Sequence, residues 1–162
     1  MSQLSAQSIK KLCETDTPML SPFVDQKVVV NGTSYGLSAA SYDVRIAHDL
    51  RLYPKQSSLA HTVEDFHMPD NVVAYVVDKS TYARRFVSAL NTLIDPGFVG
   101  NLTLELVNLG EEMVDIKLGD PICQIAFHWL DFPTDRPYNS KYQNQSKGAH
   151  GARYENKDGS WK

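Results

Sequence analysis

The chain has 162 residues, of which 42% are hydrophobic and 22% charged, with a net charge of −3. That length suits one domain with its own core, and the composition excludes disordered and fibrous classes. The mild negative charge argues against a surface built for a nucleic-acid polymer, although a few Arg and Lys residues in a local pocket suffice for a mononucleotide.

No apolar run approaches the roughly 20 residues that span a bilayer, and MSQLSAQSIKKL at the start has no basic segment followed by an apolar one. The expectation is a cytoplasmic protein. Cys13 and Cys123 stand far apart, in neither CxxC nor CxxxC spacing, which predicts neither a zinc site nor a disulfide framework. Cys123, within PICQIAF, reads as a core residue.

In chain order, LSAQSIKKL (4–12) predicts a short helix that ends before Pro18, with a Ser ahead of Leu4, Ile9 and Leu12 at helical spacing. From there to about residue 130 the signals are those of strands. KVVV, SYDVRI, VVAYVV, NLTLELVN, MVDIKL and ICQIAFHWL are rich in β-branched and aromatic residues and are punctuated by Gly, Pro, Asn or Asp. This predicts an all-β barrel or jelly-roll-like sandwich. In NLTLELVN, Leu102, Leu104 and Leu106 alternate toward a core, which turns Thr103, Glu105 and Val107 the other way. If that second face lines a cleft, Glu105 is a candidate general base; if it meets water, it is a surface charge. After Pro133 the chain is polar and without periodicity, which predicts a disordered tail. Tyr138, Tyr142, Tyr154 and several cations offer the alternative of a segment that orders over an aromatic, phosphate-bearing ligand.

Four segments, SAASYDVRI (38–46), KSTYAR (79–84), IDPGFVGNLTLELVN (94–108) and RPYNSKYQNQ (136–145), together resemble the dCTP deaminase family, a branch of the trimeric dUTPase superfamily. LSAQSIKKL, SPF at 21–23 and GDPICQIAF at 119–127 fit the same pattern, so the resemblance spans nearly the whole chain. It implies a distorted β-barrel or jelly roll with a short N-terminal helix. One domain would cover 1–162, with 134–162 as a flexible C-terminal lid, and a homotrimer would hold its active sites between subunits. The implied reaction is hydrolytic deamination of dCTP, or of a 5-substituted dCTP. A bifunctional enzyme continuing to dUMP and pyrophosphate, a plain dUTPase, and a non-catalytic nucleotide sensor are the alternatives.

Deamination by water requires a nucleophilic water and a proton delivered to the departing ammonia, and one carboxylate can do both. The resemblance assigns that role to Glu105. No H-x-E with P-C-x-x-C is present, so zinc is not expected. KSTYAR matches the family's S-S-x-A-R, which makes Ser80 and Arg84 phosphate- or water-orienting groups. Asp43 is implied near a triphosphate whose Mg²⁺ is carried mainly by phosphate oxygens and waters; equally, it could cap a turn or pair with Arg45. Tyr138, Lys141 and Gln145 align with residues that contact sugar and phosphates, Gln124 with a phosphate-side glutamine, and Gly148, Gly151 and Arg153 with the closing lid, where His150 could also touch phosphate.

The stretch RFVSALNTLI is shorter than in the bacterial deaminases, and Leu93 stands where they carry an arginine. Asn91 and Thr92 are then the natural readers of the pyrimidine edge. Asp95 occupies the position of the dUTPase water-activating aspartate, which deaminases also keep. Against a plain dUTPase, no Phe follows Phe132 to serve as the stacking residue of the tail. The five histidines share no ligand-like spacing, and His128, in a strand-like apolar run, reads as structural.

Overall fold

The computed structural model describes residues 2–160. In chain order its elements are β1 (Ser2–Gln3), α1 (Ala6–Cys13), β2 (Leu20–Ser21), β3 (Lys27–Val30), β4 (Thr33–Leu37), β5 (Tyr42–Arg45), β6 (Leu50–Leu52), β7 (Ser57–His67), β8 (Val72–Asp78), α2 (Ser80–Ala83), β9 (Val87–Ala89), β10 (Leu93–Ile94), β11 (Val99–Asn108), β12 (Val114–Ile116) and β13 (Pro121–Trp129). Every strand pair is antiparallel, so the predicted all-β class is borne out. One sheet runs β10-β8-β13-β5-β4-β3 with β1 also on β13, a second runs β2-β7-β11-β9, and β6 pairs with β12. Side chains from these sheets meet in one core that contains Tyr42, Phe66, Ile94, Leu104 and Phe127.

Local chemistry explains the elements. Helix α1 buries Ile9 and Cys13 on one face and carries Lys10 and Lys11 in its last turn, where the helix dipole favours cations. The β3–β4 hairpin turns at Asn31 and Gly32, both at positive φ (48° and 76°), the conformation that an Asn-Gly two-residue turn requires. Phe86, between α2 and β9, also has positive φ (59°); for a bulky side chain that backbone is strained. Its ring is 66% exposed.

The longest strand, β7, is absent from the elements that sequence patterning predicts. Its inward residues are Ala60, Thr62, Glu64 and Phe66, and the two polar members erase the apolar alternation. Glu64 is nevertheless fully buried because Arg45 on β5 holds it: Arg45 Nε donates to Oε1 at 2.7 Å and the Arg45 backbone N–H donates to Oε2 at 2.9 Å. This pair ties the two larger sheets together, and losing either partner would strand a buried charge. No helix among the described residues is long and apolar enough to cross a membrane.

Candidate active site

Strand β11 forms the floor of the site. Its pairing with β7 sets Glu105 opposite Leu59 and Thr103 opposite His61, and partners in an antiparallel ladder project from the same face. From residue 104 onward the predicted alternation holds, with Leu104 and Leu106 in the core and Glu105 and Val107 turned outward. A register shift between Asn101 and Thr103 breaks it upstream. Leu102, expected in the core, is therefore only partly buried and lines the same cavity as Thr103.

That cavity has a volume of about 450 Å³. Glu105, Asn91, Thr92 and Asp95 line it from β11 and the loops flanking β10, and Tyr138, Lys141 and Gln145 line it from the tail. Leu59, Leu93, Leu102 and Phe98 add an apolar wall. The Glu105 carboxylate takes part in no ion pair and accepts no hydrogen bond from another described side chain. Burial pushes it above the ordinary glutamate value, opposed only by a contact with its own backbone N–H.

Asn91 does backbone work. Its Nδ2 donates to Thr103 O at 2.8 Å and its Oδ1 accepts from Glu105 N at 3.1 Å, while Leu90 N donates to Glu105 O at 2.8 Å. The side-chain amide thus prolongs the β9–β11 ladder and fixes the Glu105 backbone. One Nδ2 hydrogen remains for a ligand, less than a free amide offers. Thr92 is exposed at the rim.

The tail docks along β11. Tyr138 N donates to Pro96 O at 2.7 Å, Asn144 N to Val99 O at 2.8 Å and Val99 N to Gln143 Oε1 at 2.8 Å. Asn101 N donates to Gln145 O at 2.9 Å, and Gln145 Nε2 donates to Asn101 O and to Thr103 Oγ1 at 2.9 and 3.0 Å. Gly97 and Gly100 of the DPGFVG segment make this possible. A Cβ on Gly97 would lie 2.6 Å from Pro137 Cβ, and one on Gly100 would lie 2.6 Å from Gln145 N. Tyr138 packs edge-on against Phe98 and accepts a hydrogen bond from Tyr142 N. Arg153 lies outside the cavity lining; its guanidinium sits over the Tyr142 ring and donates to Lys141 O. His150 N donates to Thr103 Oγ1 at 3.2 Å.

Ser80, Arg84, Gln124 and Asp43 do not line this cavity. Ser80 opens α2 and Arg84 follows its end, both exposed. Gln124 stands opposite Asp43 across β13 and β5. Asp43 does not pair with Arg45, which is committed to Glu64. Instead the ammonium groups of Lys79, at 2.7 Å, and Lys27 both donate to Asp43 Oδ2, and Oδ1 is buried without a partner among the described residues. Among the described residues no cluster of three His, Cys, Asp or Glu side chains could hold a metal ion.

Sequence reasoning did not single out Thr103, which lines the cavity, or Lys79 and Lys27, which hold Asp43. Thr103 shared a period-two face with Glu105, and Lys79 directly precedes Ser80, so both carried a signal. Lys27 reaches Asp43 only once the β3–β4 hairpin has folded, and nothing in KVVV announces it.

A family model described as dCTP deaminase-like matches residues 41–130. A dCTP deaminase of Orientia tsutsugamushi (strain Ikeda) is 30% identical over 180 aligned residues, covering 91% of this chain and 95% of its own. A dUMP-forming dCTP deaminase of Methanosphaera stadtmanae is 37% identical over 102 residues, covering 59% of this chain and 52% of its own. Among solved structures, the EIAV dUTPase superposes with a TM-score of 0.56 at 18% identity, covering 75% of this chain and 97% of its own. The fold is therefore of the dUTPase type, here with a half-buried carboxylate in a cavity beneath the tail. Within that class, the chain belongs to the dCTP deaminase-like family.

Proposed function

We propose that this protein is a hydrolytic dCTP deaminase in which Glu105 is general base and proton shuttle. The observation that carries the reading is the Glu105 carboxylate itself: half-buried, free of any cationic partner among the described residues, and set in a cavity of nucleotide-compatible size. The names of the relatives support the substrate.

In this reading Glu105, ionised, takes a proton from a water as the oxygen attacks C4 of the cytosine. The resulting tetrahedral centre carries both hydroxyl and amine. Glu105 returns a proton to the amine nitrogen, the C4–N4 bond breaks with the electrons leaving on ammonia, and the hydroxyl proton passes to N3 as the C4 carbonyl forms, so dCTP and water give dUTP and ammonia. A carboxyl group poised above its ordinary value suits a residue that must both accept and release a proton near neutrality. Tyr138, Lys141 and Gln145 hold sugar and phosphates, Thr92 and the spare Asn91 amide hydrogen face the base, and the tail from 134 onward with Arg153 serves as lid.

Ser80, Arg84, Gln124 and Asp43 form a second half-site on another part of the chain. The reading joins it to the Glu105 cavity of a neighbouring copy, in a homotrimer with sites between subunits, so that Arg84 and Ser80 orient the attacking water or phosphates beside Glu105. Among the described residues no carboxylate cluster could hold magnesium, and Asp43 is occupied by two ammonium groups, so in this reading the triphosphate and waters would carry the ion. When bound, the ion would neutralise phosphate charge.

Asp95 lines the same cavity as Glu105, which favours as second reading an enzyme that also cleaves dUTP to dUMP and pyrophosphate. Incubation with dCTP, 5-methyl-dCTP or dUTP plus Mg²⁺, resolving ammonia, dUTP, dUMP and pyrophosphate, tests both. Ammonia with dUTP is the expected result, and ammonia with dUMP and pyrophosphate would establish the second reading. Nucleotide binding without ammonia would overturn both.

A further inference from the structure

Three charges meet at Asp43. Its side chain is 1% exposed, that of Lys79 is 7% exposed and that of Lys27 36%. Both ammonium groups donate to one oxygen, Oδ2. A buried carboxylate needs one cation in contact to offset its desolvation, and Lys79, as deeply placed as Asp43, supplies it. Lys27 is then surplus positive charge on the accessible side of the cluster. An ammonium has three N–H groups, so two remain on Lys27 for something else.

The hairpin brings Lys27 there. Lys27 pairs with Gly36, Gly36 with Asp43, and Asp43 with Gln124, in one row across β3, β4, β5 and β13. Members of such a row share a face. Gly36 contributes no side chain, which leaves the Lys27 stem a clear run to Asp43. Gly36 cannot be otherwise, because a Cβ there would meet Gln26 O at 2.2 Å. Residues 27–37 also lie ahead of the stretch that the family model matches.

We propose that Lys27 is a further substrate-binding residue: pinned by Asp43, its ammonium takes an oxygen of the polyphosphate chain of a nucleoside triphosphate. The identity of the nucleotide rests on the deaminase reading; the preference for a polyphosphate does not.

Calorimetric titration of the native protein and of K27M with dCTP, dCMP and inorganic tripolyphosphate, with and without Mg²⁺, tests the inference alongside thermal melting. K27M should bind dCTP and tripolyphosphate about tenfold more weakly, the scale of one lost charge-assisted contact. Its dCMP affinity should hold and its Tm should stay level or rise, because the Asp43–Lys79 pair is intact. K27Q, which can still hydrogen-bond Asp43 but has no charge, should show the same loss. A lower Tm with unchanged triphosphate affinity would make Lys27 a structural partner of Asp43 and overturn the proposal, as would equal weakening of dCTP and dCMP. Lys27-dependent tripolyphosphate binding in a protein that never releases ammonia would sink the deaminase reading and leave this inference standing.

Discussion

Leu59 stands directly across the β7–β11 ladder from Glu105, on the same face and 40% exposed. The other outward residues of β7 are Ser57, His61, Val63, Asp65 and His67, so Leu59 is one of only two apolar side chains on that face, and it denies water to one side of the carboxyl. Glu105 lies above its ordinary value of 4.5 for that reason of burial. Deamination should therefore decline as pH falls through that raised value, and L59S should move the acid limb of the kcat/KM profile downward. E105Q should lose activity by roughly 10²–10⁴-fold while still binding dCTP. Because burial disfavours the charged form, E105Q should also melt higher than the native protein at pH 8, with the gain vanishing below about pH 4.5, where both side chains are neutral. A native acid limb that L59S leaves in place, or an E105Q melting curve lower at pH 8, would contradict this account.

Asn91 links Thr103 O and Glu105 N. N91A strands both backbone groups, at a cost of about 1–3 kcal/mol, read as a lower Tm or denaturant midpoint. Since the Glu105 backbone loses its brace, kcat should fall more than KM rises. A variant with reduced kcat and unaltered stability would mean that Asn91 acts only on the base and does not brace β11.

Gly100 lets the tail approach β11. In G100A the new Cβ would lie 2.6 Å from Gln145 N and 2.8 Å from its O, at a φ of 139°. The tail should be displaced, KM should rise, and limited trypsinolysis after Lys141 and Lys147 should accelerate. G119A is the control: its φ of 86° is strained too, but nothing lies within 4 Å, so it should lose stability without exposing the tail.

Arg84 lies outside the cavity that Glu105 lines. If the neighbouring copy completes each site, E105Q and R84A are each inactive, yet a denatured and refolded equal mixture should regain about a quarter of native activity, because each site draws one group from each of two randomly chosen copies. Mixed oligomers on a sizing column without recovered activity would exclude Arg84 acting in trans.

Much of this architecture was legible in the chain because β-branched runs announce strands, and because the alternation through Leu104, Glu105 and Leu106 fixed which way the carboxylate faces. What stayed hidden depends on partners distant in sequence. Strand β7 escaped notice because its buried Glu64 is tolerated only beside Arg45, and Leu102 was misassigned because a bulge is a property of two strands together. The part Asn91 plays in bracing β11 stayed hidden, since an amide's donors and acceptor give no hint that backbone groups of a distant strand engage two of them. For Asp43 the sequence left open a triphosphate-side role, a turn cap and a pairing with Arg45, whereas the fold gives it two lysines that lie elsewhere in the chain.

Phe86 keeps a left-handed backbone although it has a bulky side chain, and its ring gains little shelter in return. Such a residue is a reserve of unused robustness. Replacement by glycine, which adopts that backbone without steric strain, offers protein engineers a route to a more heat-tolerant variant wherever the strain released exceeds the added freedom of the unfolded chain, and it leaves the Glu105 cavity untouched.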